Sequence, residues 1–213
     1  MTTFPAYANN FEIYPKDGEA SRDLAPLFNS VSRVDFSFSV DDPAVNQGQM
    51  VSNFDTALES ALRTGGATPF DLPLPPGVPQ ELDFAFTFGG HTVAVEIEKA
   101  NREKIRRDFL KCHIYFHSGA RFAVVALPRN YPHKLGVWNL FEFGVARYNE
   151  CRTYGFGTAD KLGRILLLGF DQYEAATNRL LSKATRGEMR TQAAARAVVV
   201  GQPRGEVSHE RRI

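Results

Sequence analysis

Hydrophobic and polar residues alternate along two runs, 81–88 and 91–98, that flank Gly89-Gly90. A Gly-Gly pair suits a two-residue hairpin turn because both positions can take positive φ. With a turn that tight, Phe86 faces Val93, Phe84 faces Val95 and Leu82 faces Ile97. One side of the ribbon is then apolar and must pack on a core. The other side pairs Thr87 with Thr92, Ala85 with Ala94, Asp83 with Glu96 and Glu81 with Glu98. Four carboxylates gather beyond two small pairs that leave room for something to approach.

The same periodicities predict the rest of the chain. Residues 1–30 lack a clear period, with a short helix near 21–29. Residues 34–40 alternate as a strand, and Asp42-Pro43 ends it. Apolar positions Val51, Phe54, Leu58, Ala61 and Leu62 predict a helix over 50–63, capped by Ser52 with Asp55 and stopped by Gly65-Gly66. Residues 69–79 carry five prolines and form a stiff connector. A helix follows over 100–116, with Ile105, Phe109, Cys112 or His113, and Phe116 on its apolar side and Arg102, Lys104, Arg106, Arg107 and Lys111 on the other. Residues 121–128 are almost continuously apolar, as in a strand buried on both faces. A helix over 137–148, an aromatic loop at 154–157, a buried strand over 164–170 and a helix-prone stretch from 173 to 200 complete the reading. Strand, helix, strand places both strands in one sheet.

Charge changes this picture at two places. Directly opposed side chains in a ribbon have Cβ atoms roughly 4.5–5.5 Å apart, where like charges destabilise the pair. A hard cation such as Mg²⁺ removes that penalty, since it takes oxygen ligands from one or two carboxylates plus substrate phosphate. The alternative is a solvated acidic edge. Glu59 lies beside the buried stripe of its helix, as a boundary carboxylate or as a further acid aimed at the metal. At the other end, eight basic residues against three acids give residues 178–213 a balance of +5, leaving −4 on the rest of a chain of net charge +1. Such a segment suits a polyanion partner or is a solvated, partly disordered tail.

Composition bounds the class. The 213 residues are 43% hydrophobic and 23% charged, ordinary for one globular domain spanning 1–213 with its core over about 50–170. No run approaches the length of a membrane span, and the first residues lack the order of a signal peptide. Cys112 and Cys151 have no metal-ligand spacing and read as reduced thiols of a cytoplasmic protein.

The order helix, acidic hairpin, basic helix, buried strand resembles the core of the PD-(D/E)xK nuclease superfamily, in particular type II restriction endonucleases of the BamHI and BglII kind. Asp83, Val95-Glu96-Ile97-Glu98, Asn101, Arg107-Asp108 and residues 122–127 carry the resemblance. It implies an α/β fold with a central mixed sheet, an acidic hairpin and flanking helices. It further implies that Asp83 and Glu96 hold Mg²⁺, with Glu59 auxiliary, and that Glu98 stands where most of the superfamily has lysine. Glu81 has no counterpart. Lys99 cannot substitute, because the next residue of a strand points to the opposite face.

Read together, these features predict Mg²⁺-dependent hydrolysis of double-stranded DNA. Asp83, Glu96 and Glu98 would be catalytic, and Arg102, Lys104, Arg106, Arg107 and Lys111 would bind phosphates. The resemblance implies in-line attack leaving 5′-phosphate and 3′-hydroxyl ends, and a homodimer acting on a two-fold site. A structure-selective or repair nuclease of the same fold and a non-catalytic DNA-binding module are the competing readings. Gln47, Gln49, Arg129, Asn130 and Arg152 sit in expected loops and are candidates for either base or phosphate contact.

Overall fold

The Gly89-Gly90 turn closes with φ of 57° and 79°, both left-handed, and joins strands β5 (Phe84–Phe88) and β6 (His91–Ile97). Their register is the one the alternation predicts, Phe84 to Val95, Phe86 to Val93 and Thr87 to Thr92. The computed structural model describes residues 11–30, 37–40, 50–52, 54–77, 82–98, 101–133, 136–155, 161–174, 180 and 182. Glu81, Lys99, Gln47, Gln49 and nearly all of the basic segment 178–213 lie outside them.

The chain begins with β1 (Glu12–Tyr14) and α1 (Glu19–Ser30), followed by β2 (Ser37–Val40), β3 (Met50–Ser52), α2 (Phe54–Thr64) and β4 (Thr68–Pro69). After the hairpin come α3 (Lys104–His117), β7 (Phe122–Pro128), β8 (Tyr131–His133), β9 (Gly136–Trp138), α4 (Leu140–Tyr154), β10 (Ile165–Phe170) and β11 (Tyr173–Glu174). Six strands form the main sheet in the order β1-β10-β7-β6-β5-β4. The inner strands β6, β7 and β10 run parallel, and β1, β5 and β4 pair antiparallel towards the edges.

The parity of the buried strands sorts the core into two layers. Val93, Val95, Ile97, Phe122, Val124, Leu166 and Leu168 pack with Leu24 and Leu27 of α1 and with Leu58 and Leu62 of α2. Ala94, Ala123, Val125, Leu127 and Leu167 face Ile105, Phe109, Cys112 and Tyr115 of α3 and Leu140 and Tyr148 of α4. Because successive side chains of a strand alternate, Glu96 falls on the α3 side, two residues beyond Ala94. Helices thus cover both faces of a mixed sheet, an α/β architecture.

Several boundaries depart from the sequence expectation. Met50–Ser52 is a strand paired with β2, so the helix begins at Phe54 and Ser52 lies in a ladder instead of capping it. Gly65 and Gly66 do end that helix: their N–H groups donate to Ala61 and Arg63 carbonyls, with Gly66 at φ 100°. Residues 136–138 are a strand, and α4 starts only after Asn139, whose Oδ1 accepts from the Glu142 N–H. Residues 173–174 pair with β2 instead of continuing as helix. In each case a neighbouring strand competes for backbone partners that a local period cannot see.

Candidate functional site

The ladder between β5 and β6 ends at Phe84 and Val95, one pair short of Asp83 and Glu96. Asp83 is exposed and turns its carboxylate back to the chain, where Oδ2 accepts from the Ile97 N–H at 2.6 Å. It remains close enough for its charge to act on Glu96 and on Tyr115. Glu96 is buried beneath α3. Its Oε2 accepts from Lys111 Nζ at 2.6 Å, and its Oε1 accepts from the Tyr115 hydroxyl. Burial pushes the Glu96 carboxyl above the usual range; Lys111 and Tyr115 pull it back down, and Asp83 adds to the rise.

Glu98 follows just beyond the strand. Its N–H donates to the Ala126 carbonyl, and its Oε1 accepts from the Asn101 N–H at 2.8 Å, which ties the carboxylate to the chain entering α3. Asp108 completes the group from the inner face of α3. It is 3% exposed, its Oδ2 makes no hydrogen bond, and burial with the Glu96 and Glu98 charges pushes its carboxyl up to about 7. Lys111 and Arg107 oppose that rise.

The predicted residues are therefore only partly brought together. Asp83, Glu96 and Glu98 stand at one end of β5 and β6. Glu59 does not join them, because α2 packs on the opposite face of the sheet and Glu59 pairs at 2.7 Å with Arg63 on its own helix. Arg102, Lys104, Arg106 and Arg107 are exposed at the start of α3, the end nearest Glu98. Arg102 lies over the rings of Trp138 and Phe143 at 5.5 and 5.4 Å and beside Glu103. Lys111, expected among the outward cations, points inward to Glu96 and is 7% exposed.

Two candidates for DNA contact are engaged within the fold. Arg129 pairs with Asp171 at 2.6 Å, and buried Asn130 exchanges hydrogen bonds with the Gln172 backbone. Arg152 lies within α4, not in a loop.

Asp108, Lys111 and Tyr115 were the residues that helix periodicity alone overlooked. Each lies next to the apolar stripe of α3, at 108, 111 and 115. A helix linking two parallel strands must cover their sheet, and a buried glutamate there demands a cation. That pair of requirements was the available signal.

Among the described residues, no three histidine, cysteine or acidic side chains close into a ready-made metal cage. The donor set nevertheless suits a hard cation. Asp83 and Glu96 are coupled carboxylates, and Mg²⁺ commonly rests on one or two carboxylates with substrate phosphate beside them. The unbonded, buried Asp108 Oδ2 marks the same region as short of positive charge.

The sequence matches no protein-family model and no curated protein. Its structure is similar to that of restriction endonuclease BglII complexed with a DNA 16-mer, with a TM-score of 0.50 and 14% identity over 80% of this chain and 83% of that one. The fold is restriction-endonuclease-like. Free BglII aligns with a TM-score of 0.44 and 12% identity over 81% of this chain and 91% of that one. At such identity the similarity is one of fold alone. Cys112 and Cys151 are free thiols, and among the described residues no helix is long and apolar enough to cross a membrane.

Proposed function

We propose that the protein is a Mg²⁺-dependent deoxyribonuclease that hydrolyses phosphodiester bonds of double-stranded DNA, as a homodimeric, sequence-specific restriction endonuclease. The observation that carries this reading is the placement of Asp83, Glu96 and Glu98 beside the exposed cations Arg102, Lys104, Arg106 and Arg107. Acids that can hold a metal and cations that can neutralise phosphates share one end of the sheet. The likeness in fold to BglII, whose structure contains DNA, supports the substrate class.

Asp83 and Glu96 would hold the ion. When bound, Mg²⁺ lowers the pKa of a water and offsets charge on the phosphoryl oxygens. The protein's own part is positioning. Glu98, fixed by the Asn101 N–H, orients the attacking water and takes its proton. Arg102, Lys104, Arg106 and Arg107 anchor the backbone so that the scissile phosphate meets the acids in line, leaving 5′-phosphate and 3′-hydroxyl ends. A two-fold DNA site presents two such bonds, which a homodimer engages together.

Digestion of a double-stranded plasmid with Mg²⁺ tests the reading. Discrete fragments are expected, and Glu96→Ala should abolish them while leaving DNA binding measurable in Ca²⁺. Undiminished cutting by that variant would refute the assignment. A smear or end-dependent degradation would replace restriction by structure-selective cleavage.

A further inference from the structure

Glu96 already holds a cation. Lys111 Nζ lies 2.6 Å from its Oε2, with both side chains buried, and the Tyr115 hydroxyl takes its other oxygen. A divalent ion on Asp83 and Glu96 would meet that ammonium at close range. Like charges that close repel, and more strongly inside a protein than at its surface. The lysine stem is long and flexible enough to move its charge. It needs somewhere to put it.

Asp108 is three residues before Lys111 on α3, so the two side chains are neighbours on one helical face. The Asp108 carboxyl is buried, and its Oδ2 has no hydrogen-bond partner. An unmet buried acceptor is destabilising, so its presence beside a pair that must open calls for a use. We propose that Asp108 is a positioning residue, the acceptor that receives the Lys111 ammonium when a divalent cation takes its place on Glu96. The inference rests on the reading of Asp83 and Glu96 as cation ligands. Before uptake, Lys111 donates to Glu96 and Asp108 Oδ2 has no donor. After it, the ion balances Asp83 and Glu96 while Lys111 balances Asp108. Both arrangements keep the ammonium paired inside the fold, and Arg107, exposed on the same helix, is not required to move.

The test titrates Mn²⁺ alone into the full chain, reading free ion by electron paramagnetic resonance, with the melting temperature of each metal-free variant measured in parallel. Asp108→Asn should weaken Mn²⁺ binding by about tenfold while leaving the metal-free melting temperature unchanged or raised. A merely structural aspartate would lower it. Lys111→Met removes the ammonium that has to be rehoused, so adding Asp108→Asn to that variant should cost no further affinity.

Unaltered Mn²⁺ binding by Asp108→Asn would overturn the inference, as would an equal loss in both backgrounds, which marks a general charge effect. So would a Mn²⁺-bound structure with Lys111 still on Glu96. Wild-type binding that Glu96→Gln abolishes, with Asp108→Asn silent, sinks this inference alone. No Mn²⁺ bound by the wild type sinks the metal reading and this inference with it.

Discussion

Lys111 Nζ and Glu96 Oε2 lie 2.6 Å apart beneath helix α3, an ion pair taken almost wholly out of water. Such a pair is weak evidence of net stabilisation, but removing one partner strands the other. Lys111→Ala should therefore cost about 3–5 kcal/mol. Urea denaturation of the metal-free protein measures this; a loss below about 1 kcal/mol would show that Glu96 finds water or another donor.

Asp108 makes stability depend on pH in an uncommon direction for a carboxylate. Its folded value is raised from 3.8 to about 7, chiefly by burial, so the folded state holds a proton that the unfolded state gives up. Between those values stability falls as pH rises, and the penalty is complete above about 7. Asp108→Asn should exceed the wild type in metal-free stability by a margin that widens from about pH 4 and levels off above about pH 7, reaching the order of a few kcal/mol. Denaturation midpoints at pH 5, 6 and 8 would display the trend, and parallel curves for the two proteins would contradict it.

Glu59 faces solvent on α2, on the far side of the sheet from Glu96, and its partner is Arg63. Exposed pairs four residues apart on a helix contribute about 0.3–0.5 kcal/mol. Glu59→Gln should change stability by no more than that and leave the Mg²⁺ dependence of the proposed cleavage untouched. A shifted Mg²⁺ requirement would return Glu59 to the site.

Arg102 is held over Trp138 and Phe143 at the open end of α3. If it meets a DNA phosphate, Arg102→Ala should weaken binding to all duplexes alike and reduce the slope of log affinity against log salt by about 1. Lysine should restore the charge but not the stacking on the rings. Fluorescence anisotropy across a salt series separates the two contributions.

A packing control lies on the sheet-facing side of α4. A Cβ on Gly144 would collide with Leu127 Cδ1 and lie 3.5 Å from Leu167 Cδ1. Gly144→Val should destabilise the fold by about 1–3 kcal/mol while sparing DNA affinity per folded molecule. Calorimetry and anisotropy on one preparation would decide it.

Much of the central sheet was legible because its signals are local. Gly89-Gly90 sets the turn, the alternation on either side sets the register, and the apolar run at 122–128 announces a strand covered on both faces. The pairing of β1 with β10 was not legible, since Glu12-Ile13-Tyr14 is too short to show a period and its partner lies far along the chain. Residues 50–52 misled for the same reason, being drawn into a ladder with β2.

The site divided along similar lines. The alternation set the hairpin ladder as far as Phe84 and Val95, one pair short of Asp83 and Glu96, whereas Lys111 looked like one more surface cation. Its inward turn is dictated by Glu96 across the helix–sheet interface, a contact between residues 15 apart in sequence. Glu59 failed differently: a period says which stripe of a helix is buried, but not which face of the sheet receives it.

Helix α3 carries Arg106 and Arg107 outward and Asp108, Lys111 and Tyr115 inward on a single rod. Each residue of an α-helix advances about 1.5 Å along the axis, so the outer charges and the inner ones keep a fixed offset. The helix acts as a ruler. On the proposed reading, a duplex gripped by its outer surface would be indexed to the carboxylates beneath, and any sliding of the strand past that grip would change which phosphate is presented to them.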